Sequence, residues 1–312
     1  MDGSDFFILD QILKRRVSGE ELSKLLGISR TAVWKRIKKL EDLGYKISHT
    51  KKGYLLESRS PYLLPYELNL RTKWIGKNYI FFKSINSTNA YAKGESLPDG
   101  TVVYAETQTA GRGRKGRKWI STKGKGLYFS IVLNKSIPPS DLLIYSLVFP
   151  LAVKEVLQDK TGLPVKIKWP NDLYINNKKI SGFLIETEIE GNSTTKLIAG
   201  IGINLNQTEK DFGNLKDIAS SVKRELGKEV NRKEIFSQIL YEIEKKLDNF
   251  DRKKVLEEVD KSLLWKGKKV LLIDEKIEGI LIGINELGGI KILTDNKIKN
   301  YYSGDLTLRR VE

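Results

Sequence analysis

Cysteine is absent from this chain, and histidine occurs once, at His49. The first absence excludes disulfides, iron–sulfur clusters and thiolate zinc sites. The second excludes histidine-rich metal sites and any Ser-His-Asp triad placed elsewhere in the chain. No apolar run reaches the roughly 18–20 residues of a membrane span. An N-terminus carrying Asp2, Asp5 and Asp10 is unlike a signal peptide. A soluble, cytoplasmic protein with no membrane partner is expected. Its chemistry must rest on Lys, Arg, carboxylates and backbone groups.

Positive charge is in excess: 55 Lys and Arg against 39 Asp and Glu leave a net +16 over 312 residues. A lysine-rich background gives such a number as readily as anionic partners do, so the placement of the cations has to decide. The length implies two or three domains.

Residues 1–60 read as one unit. Phe6, Leu9 and Leu13 recur at helical spacing. Ser18 and Glu21 then form an S-x-x-E capping box for a helix that closes on Gly27. Ser29 can cap a third helix ending at Gly44, in which Val33, Ile37 and Leu40 share one face. Arg30, Thr31, Trp34, Lys35 and Lys38 are left outside. A short helix, a tight turn and a basic second helix make a helix-turn-helix, and 45–56 reads as a two-stranded wing. A hairpin with merely solvated lysines is the plainer alternative. Capping, turn length and basic face nevertheless agree on DNA binding, with Ser29–Lys38 in the major groove and Lys35, Lys38, Lys51 and Lys52 on phosphates.

A proline-bearing stretch follows, with 61–70 as the linker. Over 71–265 strands are expected at 79–83, 101–107, 126–134, 165–175, 179–189 and 195–206, with Asn176–Asn177 and 190–192 as hairpin turns. Long helices are expected at 140–160 and 231–249. Consecutive strands joined by tight turns predict an α+β fold, a mixed β-sheet with helices. From 266 to 312, short strands separated by Gly or Asp-Asn turns predict a small all-β barrel.

Four segments carry chemistry. Between Gly111 and Lys125 lie seven basic residues (Arg112, Arg114, Lys115, Arg117, Lys118, Lys123, Lys125) and no acidic one. Glycines among cations expose backbone N–H groups and suit phosphate. Gly111, Gly113 and Gly116 satisfy G-x-G-x-x-G, but no helix follows; a Walker A would need Lys then Ser/Thr where Arg117 and Lys118 stand. A plain nucleic-acid-binding loop stays open, and Trp119 offers a surface for a purine. In the second segment, VKIKWPNDLYI (165–175), Lys168, Asn171 and Asp172 need a partner, either a ligand or another part of the protein. Ser87, Thr88 and Asn89 open a helix, as caps or as a polar surface for a small ligand. GIGIN (200–204) is a strand thinned by glycine that lets something approach closely.

TQTAGRGRKGRKW, KWPNDLYINNKKISGFLIE and GIGINLN, in this order behind a helix-turn-helix, closely resemble the biotin–protein ligase family in its repressor-bearing branch. The resemblance spans essentially the whole chain. It implies a class II synthetase-like core, an SH3-like C-terminal barrel, and an ATP- and Mg²⁺-dependent activation of biotin to biotinyl-5′-AMP. Transfer to a lysine of a biotin carboxyl carrier protein would follow, without a covalent enzyme intermediate. It further implies a homodimer on operator DNA that represses biotin synthesis genes. By the same resemblance, Ser87, Thr88, Asn89 and Gln108 hold biotin, and Arg112, Gly113 and Arg114 belong to a flexible loop that orders over the adenylate. Lys168 contacts carboxylate and α-phosphate. Gly111, Arg114, Arg117, Trp119, Asn171, Lys179 and Asn204 serve the nucleotide, and Asp172 is a candidate proton acceptor or magnesium contact. Lys168, Arg112 and Arg114 are the catalytic candidates. The alternatives are a non-catalytic ligand-responsive repressor, a lipoate ligase, and a ligase whose DNA-binding domain is vestigial.

Overall fold

Short polar side chains set the start of each N-terminal helix. In the computed structural model, which describes residues 2–191, 193–273, 275–302 and 308–310, Asp2 and Asp5 cap α1 (Gly3–Lys14) reciprocally. Ser18 Oγ accepts from the Glu21 N–H at 3.0 Å to open α2 (Gly19–Leu26), which stops at Gly27 with φ +65°. Ser29 Oγ accepts from Ala32 N–H at 3.1 Å to open α3 (Arg30–Asp42). The wing is an antiparallel pair, β1 (Lys46–Thr50) and β2 (Gly53–Ser58). Gly53 lies so close to the Val17 backbone that a Cβ there would overlap it, and Tyr54 N–H donates to Val17 O at 2.8 Å.

The core of this unit is Ile8, Leu9, Ile12, Leu22, Val33, Ile37 and Leu40, all fully buried. Burial of each contributes about 1.5–3 kcal/mol. Two expectations need correction. The inward face of α1 is Ile8, Leu9 and Ile12 with Asp5, while Leu13 is exposed. Only half of the Ser18 capping box forms, because the Glu21 carboxylate turns to Arg15 instead.

The chain forms two compact units, Met1–Asn69 and Leu70–Glu312. Most of the segment read as a linker therefore belongs to the first unit. Its Leu63, Leu64 and Leu68 are buried, and Tyr66 stacks on Phe6 with ring centres 5.9 Å apart.

The second unit is built on β3 (Tyr79–Phe82), β4 (Val102–Ala105), β5 (Gly126–Leu133), β6 (Lys166–Lys168), β7 (Asp172–Ile175), β8 (Lys178–Glu190) and β9 (Ser193–Asn204). Their order is β3-β4-β5-β9-β8-β7-β6, parallel between β3 and β4 and antiparallel elsewhere, so the sheet is mixed as expected. All eight residues of β5 are buried, which requires cover on both faces. On one face α4 (Thr88–Gly94) packs over β4, β5 and β9, burying Ala92 against Val103, Val132 and Ile198. On the other, α5 (Leu142–Thr161) packs against α7 (Arg232–Asp248), whose Phe236 meets Phe129 edge-on at 5.0 Å. Two further helices, α6 (Val222–Leu226) and α8 (Arg252–Ser262), are absent from the sequence expectation. The span 165–175 is two strands rather than one. Pro170 has no N–H to give a ladder, so the chain turns between β6 and β7.

The C-terminal strands β10 (Lys269–Leu272), β11 (Ile277–Ile284), β12 (Ile290–Thr294), β13 (Lys297–Tyr301) and β14 (Leu308–Arg310) form one antiparallel sheet. Its order is β13-β12-β11-β10-β14, and no pairing closes it into a barrel among the described residues. Asn192 in the expected 190–192 turn, and part of the last expected strand segment, lie outside the described residues. The buried Trp169 Nε1 donates to Gly288 O at 2.9 Å, tying this sheet to the β6–β7 turn.

Candidate active site

Side chains alternate across a sheet, and on the face covered by α4 the alternation brings together residues with almost no side chain. Ser130 on β5 pairs with Gly200 on β9, and Gly202 on β9 pairs with Gly182 on β8. The hollow so formed is a cavity of about 590 Å³, lined from α4, the 111–125 loop, β6–β9 and the 211–219 segment. That volume falls within the range of small-molecule and cofactor sites.

The glycines of GIGIN do admit close neighbours, and these are the protein's own side chains. A Cβ on Gly202 would lie 2.5 Å from Trp119 Cε2, and one on Gly182 3.0 Å from Trp119 Cζ3. The indole thus lies directly on the paired glycines. A Cβ on Gly200 would strike the Asn89 carboxamide.

At one end of the cavity, Ser87 caps α4 through Ala90 N–H, and Thr88 donates through its N–H and Oγ1 to Gln108 Oε1 at 2.8 and 3.1 Å. Asn89 Nδ2 donates to Leu184 O and to Glu186 Oε2, and its Oδ1 accepts from Ser130 Oγ at 2.6 Å. Asn89 is 5% exposed and engaged at both ends. It fixes the floor beside Thr88.

The basic loop is a narrow hairpin. Trp119 N–H donates to Gly111 O at 2.9 Å, Gly113 N–H to Arg117 O at 2.7 Å, and Lys115 takes φ +58°. Arg112, Gly113, Arg114, Arg117 and Trp119 line the cavity; Gly111 does not, and instead anchors Trp119. Arg114 Nη1 donates to Asn171 Oδ1 at 3.3 Å, joining the loop to the β6–β7 turn. Lys168 Nζ sits 5.3 Å and 5.4 Å from the ring centres of Tyr174 and Trp265. Lys179 Nζ pairs with Asp172 Oδ1 at 2.7 Å and stands 5.6 Å over the Trp119 ring. Asn204 Nδ2 donates to Ser220 O at 3.1 Å, and its Oδ1 accepts from Gln207 at 3.2 Å.

Several contributors went unnoticed in the sequence. Asp211 and Leu215 from single helical turns, and Phe212 and Ile218 beside them, line the cavity; the three-residue spacing of the apolar ones was the available signal. Burial pushes the Asp211 carboxyl up, but Lys125 at 2.7 Å and the Thr208 backbone and hydroxyl hold it below the usual carboxylate range. Burial also raises the Tyr128 hydroxyl, which donates to Thr122 O within the loop's outgoing arm.

In the first unit, Arg30, Thr31, Trp34, Lys35 and Lys38 are exposed on α3, opposite Val33, Ile37 and Leu40, with Ser29 at the cap. Lys38 pairs with Glu41 at 2.8 Å. Lys51 and Lys52 are exposed at the tip of the wing.

Known proteins share the fold of this chain. The biotin/lipoate A/B protein ligase family profile matches residues 81–204, and an HTH domain profile matches 6–55. The "Bifunctional ligase/repressor BirA" of Bacillus subtilis is 34% identical over 304 residues, 94% of each chain. The chain belongs to this bifunctional biotin–protein ligase/repressor family. The Escherichia coli BirA is 31% identical over 306 residues, covering 95% of this chain and 94% of its own length. The Aquifex aeolicus biotin protein ligase, solved in complex with biotin and ATP, is 40% identical with a TM-score of 0.66, covering 75% of this chain and 100% of that one. Every family segment quoted from the sequence, apart from the helix-turn-helix, contributes residues to the one cavity.

Proposed function

We propose that this chain activates biotin with ATP to biotinyl-5′-AMP and transfers the biotinyl group to a lysine of a biotin carboxyl carrier protein. Its helix-turn-helix places the same protein on operator DNA as a repressor. The observation that carries the ligase assignment is the convergence of Thr88 and Gln108, the arginine loop and Lys168 on a single 590 Å³ cavity.

Joining a carboxylate to an amine is uphill, so the carboxylate is first converted to a mixed anhydride. Its oxygen attacks the α-phosphorus of ATP and pyrophosphate departs. Negative charge concentrates on the α-phosphate in that step, and fixed cations there favour the transition state over the ground state. We assign that role to Lys168 with Arg112 and Arg114. Ser87, Thr88, Asn89 and Gln108 form the biotin end, Asn89 as a buried support. Trp119, Arg117, Asn171, Lys179 and Asn204 form the nucleotide end, with Gly111 holding Trp119. Mg²⁺ arrives with ATP as part of the substrate: Asp172 and Asp211, on the cavity wall, already bind Lys179 and Lys125. In the second step an uncharged lysine amine of the carrier attacks the anhydride carbonyl and releases AMP. Asp172 is the candidate acceptor for its proton.

The remaining assignments follow the family. The C-terminal sheet belongs to an SH3-like barrel on a class II synthetase-like core; the DNA-binding domain read as 1–60 extends to Asn69, and within the second unit 71–265 is the ligase core and 266–312 the C-terminal domain; and the adenylate-loaded protein acts as a cytoplasmic homodimer on a two-fold operator. Incubation with biotin, α-labelled ATP and Mg²⁺ should yield labelled biotinyl-AMP, which a carrier domain discharges to AMP. Absence of that product, or preferential use of lipoate, would overturn the assignment.

A further inference from the structure

The basic loop leaves the sheet after Glu106 and returns to it at Gly126, and one guanidinium grips both points. Arg232 Nη2 donates to Glu106 Oε1 and Oε2 at 3.0 and 2.9 Å, and its Nε donates to Gly126 O at 3.1 Å. Nη2 also reaches Tyr104 Oη at 2.7 Å. The Glu106 side chain is fully buried and that of Arg232 is 11% exposed. Neither residue lines the cavity. A buried ion pair adds little net stability over an apolar pair of the same shape, because desolvation offsets the attraction. What it supplies is one fixed geometry, here at the neck of the loop. The grip comes from the first residue of α7.

We infer, on the ligase assignment proposed above, that Arg232 is a positioning residue: it clamps the neck of the 107–125 loop so that the loop's arginines meet the adenylate in one register. Its effect is exerted through Gly126 and Glu106. Gly126 pairs with Asn204 across β5 and β9, so the clamp also fixes the strand end on which Asn204 stands.

The test uses the full chain with three changes: Arg232→Lys, Glu106→Gln and the double variant Arg232→Met/Glu106→Gln. Lysine keeps the charge but cannot reach both points, and the double variant leaves no unpaired buried charge. Trypsin cleavage within 107–125 is followed without ligand and compared with cleavage elsewhere in the same digest. The release of biotinyl-AMP formed in a single turnover is followed beside it. We expect loop cleavage and adenylate escape each to rise about tenfold in Arg232→Lys and the double variant, below the roughly 10²-fold cost of an ångström-scale misplacement. The KM for ATP should rise more than kcat falls. A purely structural pair would lower the urea midpoint and raise cleavage at all sites alike, and that pattern overturns the inference. Should the unaltered protein form no biotinyl-AMP, the ligase assignment fails, while ligand-free cleavage of the loop still decides whether Arg232 holds it.

Discussion

The α3 face and the cavity both gather positive charge, and they do so by opposite means. On α3, Arg30, Lys35 and Lys38 stand in solvent on a helix whose other face is core. Around the cavity, Lys168 sits against two aromatic rings, Lys179 is paired with Asp172, and Arg114 is tied to Asn171. Exposed cations are screened and act nearly additively. Cations held in a partly enclosed site are pre-positioned and act where charge develops. One region should therefore tolerate single losses that the other cannot.

The largest effect tests that contrast directly. Lys168→Ala should lower biotinyl-AMP formation, read as pyrophosphate release, by about 10³-fold, the scale for removing one pre-positioned charge donor. Operator binding at fixed salt should be unchanged. Retention of adenylate formation would remove Lys168 from the site.

A smaller effect comes from the cavity floor. Gly202→Val would place a Cβ 2.5 Å from Trp119 Cε2, so the indole must leave the paired glycines. We expect the KM for ATP to rise about tenfold, equivalent to about 1.4 kcal/mol, with the KM for biotin nearly constant. An equal rise in both would show that Trp119 does not mark the nucleotide end. Gly200→Ala, directed at Asn89, should instead raise the KM for biotin.

Features written in neighbouring residues were legible from the sequence. Ser29 caps α3, Gly27 ends α2 with positive φ, and Asn176–Asn177 make the β7–β8 turn with φ +48° and +61°. Each depends on residues within four positions of one another. The segments around the cavity were legible because their polar and glycine content makes no sense for a core strand. What joins them was not: the Arg232 clamp spans 126 positions to Glu106, and Trp265 reaches Lys168 from beyond α8. Helix α8 itself buries only Val255, Val259 and Ser262, too thin a stripe to stand out. The expected face of α1 erred because Leu13 fits the period as well as Ile12 does, and only packing chooses between them.

The first unit has a buried charge of its own in Asp5, which blurs the contrast and can be isolated by pH. Burial pushes the Asp5 carboxyl up, but Lys39 at 2.7 Å, the Asp2 N–H and Arg36 at 2.8 Å hold it below the usual carboxylate range. A depressed carboxylate contributes stability fully above its unfolded pKa of about 3.9, and loses it as pH falls through the folded value. Asp5→Asn should cost the first unit about 1–2 kcal/mol at pH 7, the scale of charge-assisted hydrogen bonds. The gap to the unaltered protein should stay constant down to about pH 5 and close below about pH 4. A gap independent of pH would mean that the loss is one of packing.

The smallest single loss is expected from Lys35 on α3, whose comparison with Arg30 separates two kinds of contact on one helix. If Lys35 meets a phosphate, Lys35→Ala should weaken binding to every DNA sequence alike. It should also reduce the slope of log K against log salt by about 0.9. If Arg30, in the first turn, reads a base edge, Arg30→Ala should cost about 1–3 kcal/mol on the operator and relax preference at one position, with little change in competitor binding. Biotinyl-AMP formation should be untouched in both, because neither side chain belongs to the cavity. Fluorescence titration of operator and scrambled duplexes at several salt concentrations measures all of this. Identical losses from the two variants, with identical slopes, would mean that α3 contributes only a diffuse positive field, and that sequence is read elsewhere in the first unit.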